Sequence, residues 1–305
     1  RVPFEALTMN QFDRRSLLAA SAALLTASTS AQAQTPARRS IAGDLPLKNT
    51  RTHFAANLEM WWGSLPFPDR IRAAHDVGFT AFEFWPWRGK DLDAIAAAMK
   101  ETGMSCTQFT GWGFSPGMND AKNHDKLEQE IKDSCATAKK LGAKMMCVVA
   151  GNDIAGVSQE AMHDTVIVGL KRVAKIAEDN DVTLLLEPMN IRVDHKGHCL
   201  YGSPPALKIV RAVGSTHVKV LWDLYHMHIS EGDLCGHLRE GIKELGYVQL
   251  ADHPGRNEPG TGEIHYNRVL NELANLNYTG YVGVECNPSV PEADAARALA
   301  LADIW

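Results

Sequence analysis

The chain of 305 residues is expected to fold as an α/β protein, a single (β/α)8 barrel, on three observations. Eight short apolar runs alternate with segments of helical periodicity from residue 53 onward. The alternation is strict, which implies parallel pairing through right-handed crossovers. The alternative, a doubly wound open sheet that binds a dinucleotide, would carry G-x-G-x-x-G after its first strand, and "NLEMWWGSLPF" holds a single Gly.

The strand candidates are "HFAANLEMW" (53–61), "FTAFEFW" (79–85), "MSCTQFT" (104–110), "AKMMCVVAG" (143–151), "VTLLLEP" (182–188), "VKVLWDL" (218–224), "YVQLAD" (247–252) and "GYVGVEC" (280–286). Between them lie amphipathic segments such as "DRIRAAHDVG", "DLDAIAAAMKETG", "LEQEIKDSCATAKKLG" and "LREGIKELG". Each closes on Gly just before the next strand, the residue that best adopts a left-handed helix terminus.

Residues 1–41 read differently. Arg14 and Arg15, the apolar stretch "LLAASAALLTA" from Leu17 to Ala27, and Ala31-Gln32-Ala33 reproduce the charged, apolar and small-residue regions of an export signal. The paired arginines resemble a twin-arginine signal, which would send the protein to the periplasm, and the signal works best if translation starts at Met9. The apolar segment is about half the length a bilayer-spanning helix needs, so no stable membrane anchor is expected. The barrel domain is then 42–305.

The net charge of -5 and pI near 6.2 offer no general attraction for nucleic acid or anionic lipid. A small-molecule substrate in a pocket is the expected partner, and a homo-oligomer is open. The six cysteines form no C-x-x-C pair, which removes the zinc-ribbon and thioredoxin readings, and Cys106, Cys147 and Cys286 sit in apolar runs as small buried hydrophobes.

Catalytic groups of such barrels stand at the C-terminal ends of the strands. Four polar residues end successive apolar runs: Glu187 in "LLLEP", Asp223 in "VLWDL", Gln249 in "YVQLAD" and Glu285 in "VGVEC". They are 36, 26 and 36 residues apart, one βα repeat each, which places them side by side on strands 5 to 8. Three grouped carboxylates repel one another and are costly to bury unless a cation neutralises them. A site of carboxylate and amide oxygens, without Cys or His, favours one hard divalent ion, Mg2+ or Mn2+.

His226 follows Asp223 by three residues and should face the same mouth. Arg256, the one cation of its loop, suits capture of a substrate carboxylate. Glu258 and Glu263 are expected to fix loop backbone. Trp61, Trp62, Trp85, Trp87 and Trp112, just after strands 1 to 3, are expected to pack the core and the barrel mouth, with an apolar wall for a substrate as the alternative.

The segments "LLLEPMN", "LWDLYHMHISEGDL", "VQLADHPGRNEPGTGEIHY" and "GYVGVECNP" resemble the xylose isomerase-like barrel family, most closely its hydroxypyruvate isomerase branch. The resemblance spans about residues 53 to 305. It implies Glu187, Asp223, Gln249 and Glu285 as metal ligands, Glu187 and Glu285 as the acid/base pair, and His226 and Arg256 as substrate contacts. Ketose 3-epimerases of the superfamily commonly carry His at the position of Gln249, whereas hydroxypyruvate isomerases carry Gln. The implied reaction interconverts hydroxypyruvate and 2-hydroxy-3-oxopropanoate. Alternatives are a ketose 3-epimerase, a binding module that has lost catalysis, and an abasic-site endonuclease.

Overall fold

The computed structural model describes residues 45–305; the export-signal expectation for residues 1–41 lies outside them. Eight parallel strands close into a barrel in chain order, β1 pairing with β8. They are β1 His53–Asn57, β2 Ala81–Pro86, β3 Ser105–Trp112, β4 Met145–Val149, β5 Thr183–Glu187, β6 Val218–Asp223, β7 Leu245–Leu250 and β8 Tyr281–Val284. Each expected strand is present. The first ends at Asn57 rather than running to 61, because the next residues turn back: the amides of Met60 and Trp61 both bond the Asn57 carbonyl.

Helices fill the crossovers. They are α1 Phe67–Asp76, α2 Leu92–Thr102, α3 His124–Leu141, α4 Gln159–Asp179, α5 Ser203–Val213, α6 Leu224–Ser230, α7 Leu234–Gly241, α8 Tyr266–Asn275 and α9 Glu292–Ala302. In α3 the buried Leu127, Ile131, Cys135, Ala138 and Leu141 recur at three- and four-residue spacing, so one stripe faces the barrel. Gly103, Gly142 and Gly214 terminate α2, α3 and α5 with positive φ, as expected. Gly246 departs from that pattern: it lies inside β7, where a Cβ would come within 2.6 Å of Leu185 and Lys219 side-chain atoms.

Strand side chains alternate between barrel interior and helix layer. Cys147, Val149, Leu185, Leu221 and Tyr247 make a separate cluster inside the barrel, apart from the large core between barrel and helices. Two residues beyond Leu185, Leu221 and Tyr247 stand Glu187, Asp223 and Gln249. The same period that packs the interior with hydrocarbon therefore delivers the polar residues to its open end. No described helix is long and apolar enough to cross a membrane.

Candidate active site at the barrel mouth

Glu187 and Asp223 are the last residues of β5 and β6, Gln249 is the penultimate residue of β7, and Glu285 follows β8 directly. Asp223 pairs in register with Gln249, and Gln249 with Gly283. Ligand atoms of Glu187, Asp223, His226 and Glu285 all lie within 4.8 Å of one another, and all four residues are buried. Gln249 lines the same cavity as Glu187, His226, Arg256 and Glu285. The structure thus gathers every residue that the sequence nominated.

Burial drives the electrostatics. Glu187 is pushed well above the ordinary carboxylate range by desolvation and then by repulsion from Glu285 and Asp223. Asp223 rises to about 7 for the same two reasons, burial first and Glu285 second, with Arg256 opposing. His226 is held well below its usual value by burial and by Arg256, so its ring is neutral.

Its tautomer follows from its neighbour. Asn190 Oδ1 accepts the backbone amides of Val193 and Asp194, which fixes Nδ2 as the atom 2.7 Å from His226 Nδ1. Nδ1 must then accept, and the proton sits on Nε2, which lies 3.4 Å from Asp223 Oδ2 and 3.9 Å from Glu187 Oε1. A protonated Nε2 donates a hydrogen bond and has no lone pair for a metal.

Arg256, at positive φ on the loop after β7, reaches into the cluster. Its Nη2 donates to Glu285 Oε2 at 2.5 Å and stands 3.7 Å from Asp223 Oδ2, while its buried Nε has no partner. Burial works against its charge, but Glu285 and Asp223 outweigh this and raise its pKa.

The structure adds residues that the sequence reading passed over. Glu83, in the middle of β2, is fully buried beneath the site. Its Oε1 accepts from Asn57 Nδ2 (2.9 Å) and Gln249 Nε2 (2.8 Å), and its Oε2 from Gln108 Nε2 (3.0 Å). Hydrogen bonds to a charged group contribute about 1.5–3 kcal/mol each, enough together to make a buried carboxylate tolerable. Burial and Glu285 still push it up to about 7. Gly283 makes room for it, since a Cβ there would stand 2.4 Å from Glu83 Oε2. Glu83 carries the same signal as Gln249, a polar residue inside an apolar strand, whereas Gln108 is masked in sequence by Ser105, Thr107 and Thr110 of its own strand.

Two residues expected to pack also bond the acidic cluster. Trp85 does not simply pack: it is part-exposed in the mouth and its Nε1 donates to Glu285 Oε1 at 2.8 Å. Cys147 is buried as expected, yet its thiol donates to Glu187 Oε2 at 3.3 Å. Around the loop after β7, Glu258 does fix backbone, accepting Ser289 N and Oγ, whereas Glu263 instead accepts from the His228 ring. The shaping carboxylate is Asp252, which takes the amides of His253, Gly260, Gly262 and Ile264 and so holds Arg256 in its loop. His198, on the loop after β5, is buried against backbone: its Nδ1 lies 2.7 Å from the Leu200 carbonyl.

The donor set fits a hard cation. Asp223 Oδ2 and Gln249 Oε1 are buried acceptors without a hydrogen-bond partner, beside two carboxylates whose proximity is otherwise repulsive. Because Glu83 binds the amide nitrogen of Gln249, the oxygen is the free end.

Fold and site together define a (β/α)8 protein with an oxygen-rich, acidic centre at the C-terminal mouth. Residues 71–303 match the profile of the Xylose isomerase-like TIM barrel family, and the chain belongs to that family. It is 32% identical over 241 residues to the hydroxypyruvate isomerase of Escherichia coli, covering 77% of this chain and 93% of that one. It is 28% identical over 249 residues to the 2-oxo-tetronate isomerase of Pectobacterium atrosepticum, covering 77% of this chain and 92% of that one. Among solved structures it resembles a Brucella melitensis protein named AP endonuclease, family 2 (TM-score 0.76, 27% identity, 80% and 96% of the two chains covered). A 3-keto-D-glucoside 4-epimerase of E. coli shares the fold (TM-score 0.71, 23% identity, 83% and 99% covered).

Proposed function

We propose that this chain is a metal-assisted isomerase that interconverts hydroxypyruvate and 2-hydroxy-3-oxopropanoate through an enediolate. The isomerase class is supported by relatives named hydroxypyruvate isomerase and 2-oxo-tetronate isomerase, each covered over nine-tenths of its length. The observation that carries the chemistry is the convergence of Glu187, Asp223 and Glu285, with Gln249 lining the same cavity, its oxygen turned free of Glu83.

Glu187, Asp223, Gln249 and Glu285 would hold one Mg2+ or Mn2+, which when bound polarises the substrate oxygens and acidifies the C–H beside them. Of Glu187 and Glu285, one takes the proton from C3 of hydroxypyruvate and the other delivers a proton at C2, while the hydroxyl proton on O3 passes to O2. Each has a fixed partner, Cys147 on Glu187 and Trp85 with Arg256 on Glu285, so both carboxylates are oriented before substrate arrives. His226 donates from Nε2 to a substrate oxygen, held by Asn190. Arg256 is the group for the substrate carboxylate, its unpartnered Nε and adjacent Nη2 forming one edge of the guanidinium fork.

The test is turnover of hydroxypyruvate by protein stripped of metal and reloaded with Mg2+ or Mn2+. A C3-epimerised ketohexose, with hydroxypyruvate untouched, would replace this reading with the ketose 3-epimerase one. An abasic-site duplex serves as control for the nuclease name attached to the Brucella neighbour. The net charge of -5 and the single metal-capable group among the described residues support the small-molecule reading. The paired arginines and short apolar stretch before residue 42 support a periplasmic location, which cell fractionation of the tagged full chain tests.

A further inference from the structure

Glu83 holds two glutamine side chains, of which only Gln249 belongs to the proposed ion site. Its Oε1 accepts from Gln249 Nε2 (2.8 Å) and its Oε2 from Gln108 Nε2 (3.0 Å). Each amide therefore turns its nitrogen to the carboxylate and keeps its oxygen as the free end. Oε1 of Gln108, like Oε1 of Gln249, is a buried acceptor without a hydrogen-bond partner, and both residues line the cavity of Glu187 and Glu285. Gln108 is only 1% exposed, so bulk water does not serve this oxygen.

The strand is shaped to deliver this residue. Between the pairs Phe82–Cys106 and Phe84–Phe109 the register of β2 and β3 slips, so that Thr107 and Gln108 together oppose Glu83. An extra residue of this kind interrupts strict alternation and re-aims side chains. Thr107 and Gln108 consequently both reach interior partners: Thr107 Oγ1 lies 3.0 Å from Tyr247 Oη, and Gln108 bonds Glu83. The Gln108 amide is locked in this sense, because turning it over would set its oxygen acceptor against a carboxylate oxygen. The clustered carboxylates belong to β5, β6 and the end of β8, whereas β3 stands across the closed barrel from β7.

A locked, buried acceptor selects for hydrogen-bond donors. A ligand hydroxyl satisfies it, whereas a carbonyl oxygen, an ether or a methyl group leaves it unpaired, the situation in which a polar site discriminates most strongly. Resting on the enediolate reading of the inner site, we infer that Gln108 is a specificity-determining residue whose Oε1 accepts the hydroxyl of the reacting hydroxy-carbonyl unit, O3–H in hydroxypyruvate. Glu83 is then a shared support: one of its oxygens orients a ligand of the ion, and the other orients a contact to the substrate.

Calorimetric titration of the Mn2+-loaded full chain tests the contact without any turnover. The probes are D-glycerate, D-lactate, which lacks only the C3 hydroxyl, and 3-fluorolactate of the same configuration, whose fluorine fills that position but donates nothing. D-glycerate should bind most tightly, with both analogues roughly 10- to 100-fold weaker. In Gln108→Met, which keeps the volume and removes the acceptor, the preference for D-glycerate over D-lactate should shrink roughly 5- to 30-fold. Chelation of the hydroxyl by the ion is common to parent and variant and cancels in this ratio, as does a general loosening from the lost bond to Glu83. An unchanged ratio would overturn the inference. So would 3-fluorolactate binding to the parent chain as tightly as D-glycerate, a result that needs no variant. Hydroxyl selectivity that depends on Gln108, without turnover of hydroxypyruvate, would support the contact and remove the isomerase reading. Turnover of hydroxypyruvate with the ratio unmoved would do the reverse.

Discussion

The two halves of the barrel mouth are built on opposite principles. Strands β5 to β8 deliver Glu187, Asp223 and Glu285, an acidic rim gathered within a few ångströms, with Gln249 lining the same cavity. Strands β1 to β3 deliver Asn57, Glu83, Trp85, Gln108 and Trp112, amides and indoles that mostly donate, with one carboxylate sunk below the rim. The first half supplies charge that needs a cation and a substrate. The second orients that charge: Trp85 holds Glu285, and Glu83 turns Gln249. Chemistry and positioning are thus divided around the ring, and each half can be disturbed separately.

The largest effect is expected on the acidic half. Glu285→Gln keeps shape but removes a proton carrier and an anionic ligand, and turnover should fall by about 10³-fold or more, read as kcat on metal-loaded protein. Activity within tenfold of the parent chain would take Glu285 out of the mechanism.

On the supporting half, Glu83→Leu removes the acceptor that fixes Gln249. Metal affinity, measured by titration calorimetry, should drop about 10- to 100-fold, the range usual for loss of a group that orients a ligand. Unchanged affinity would mean that Gln249 does not need Glu83 or does not touch the ion.

The pH response joins the two halves, because each contributes one carboxyl raised by burial. Asp223 and Glu83 titrate near 7 in the metal-free fold, against about 4 in an unfolded chain. The folded form therefore keeps protons that the unfolded form has released, and metal-free stability should fall as pH rises from about 4 to about 7. A cation takes the place of the proton on Asp223, so the rise in melting temperature on adding Mn2+ should be greater at about pH 7.5 than at about pH 5. An equal rise at both would place the ion elsewhere.

The smallest effect is expected for Trp85→Phe, which costs Glu285 one hydrogen bond while Arg256 remains. A loss of roughly 3- to 10-fold in kcat follows from about 1 kcal/mol. A hundredfold loss would instead make Trp85 a direct participant.

Much of the site was legible in one dimension because a parallel barrel translates strand ends into neighbours. Once eight units were counted, Glu187, Asp223, Gln249 and Glu285 had to adjoin, and the structure brings them together. Glu83 was harder, because a Glu two residues before Trp85 in "FTAFEFW" looks like an edge charge until the strand is seen to face the barrel interior. The loop after β7 is only partly legible in sequence for a related reason. Glu263 is conspicuous in sequence, but Asp252 sits where four backbone amides converge, and convergence belongs to the folded loop.

What the sequence determined by itself is the periodic part: strand and helix alternation, the closing glycines, and the residue types at strand ends, all fixed by local repeat lengths. What only the tertiary structure decided is direction. Which end of the Gln249 amide faces the mouth, which nitrogen of His226 holds the proton, and which carboxylates Arg256 meets depend on Glu83, Asn190 and Glu285, partners from 29 to 166 residues away in the chain. Hydrogen bonds are directional and short-ranged, so their geometry exists only after distant segments have been packed side by side.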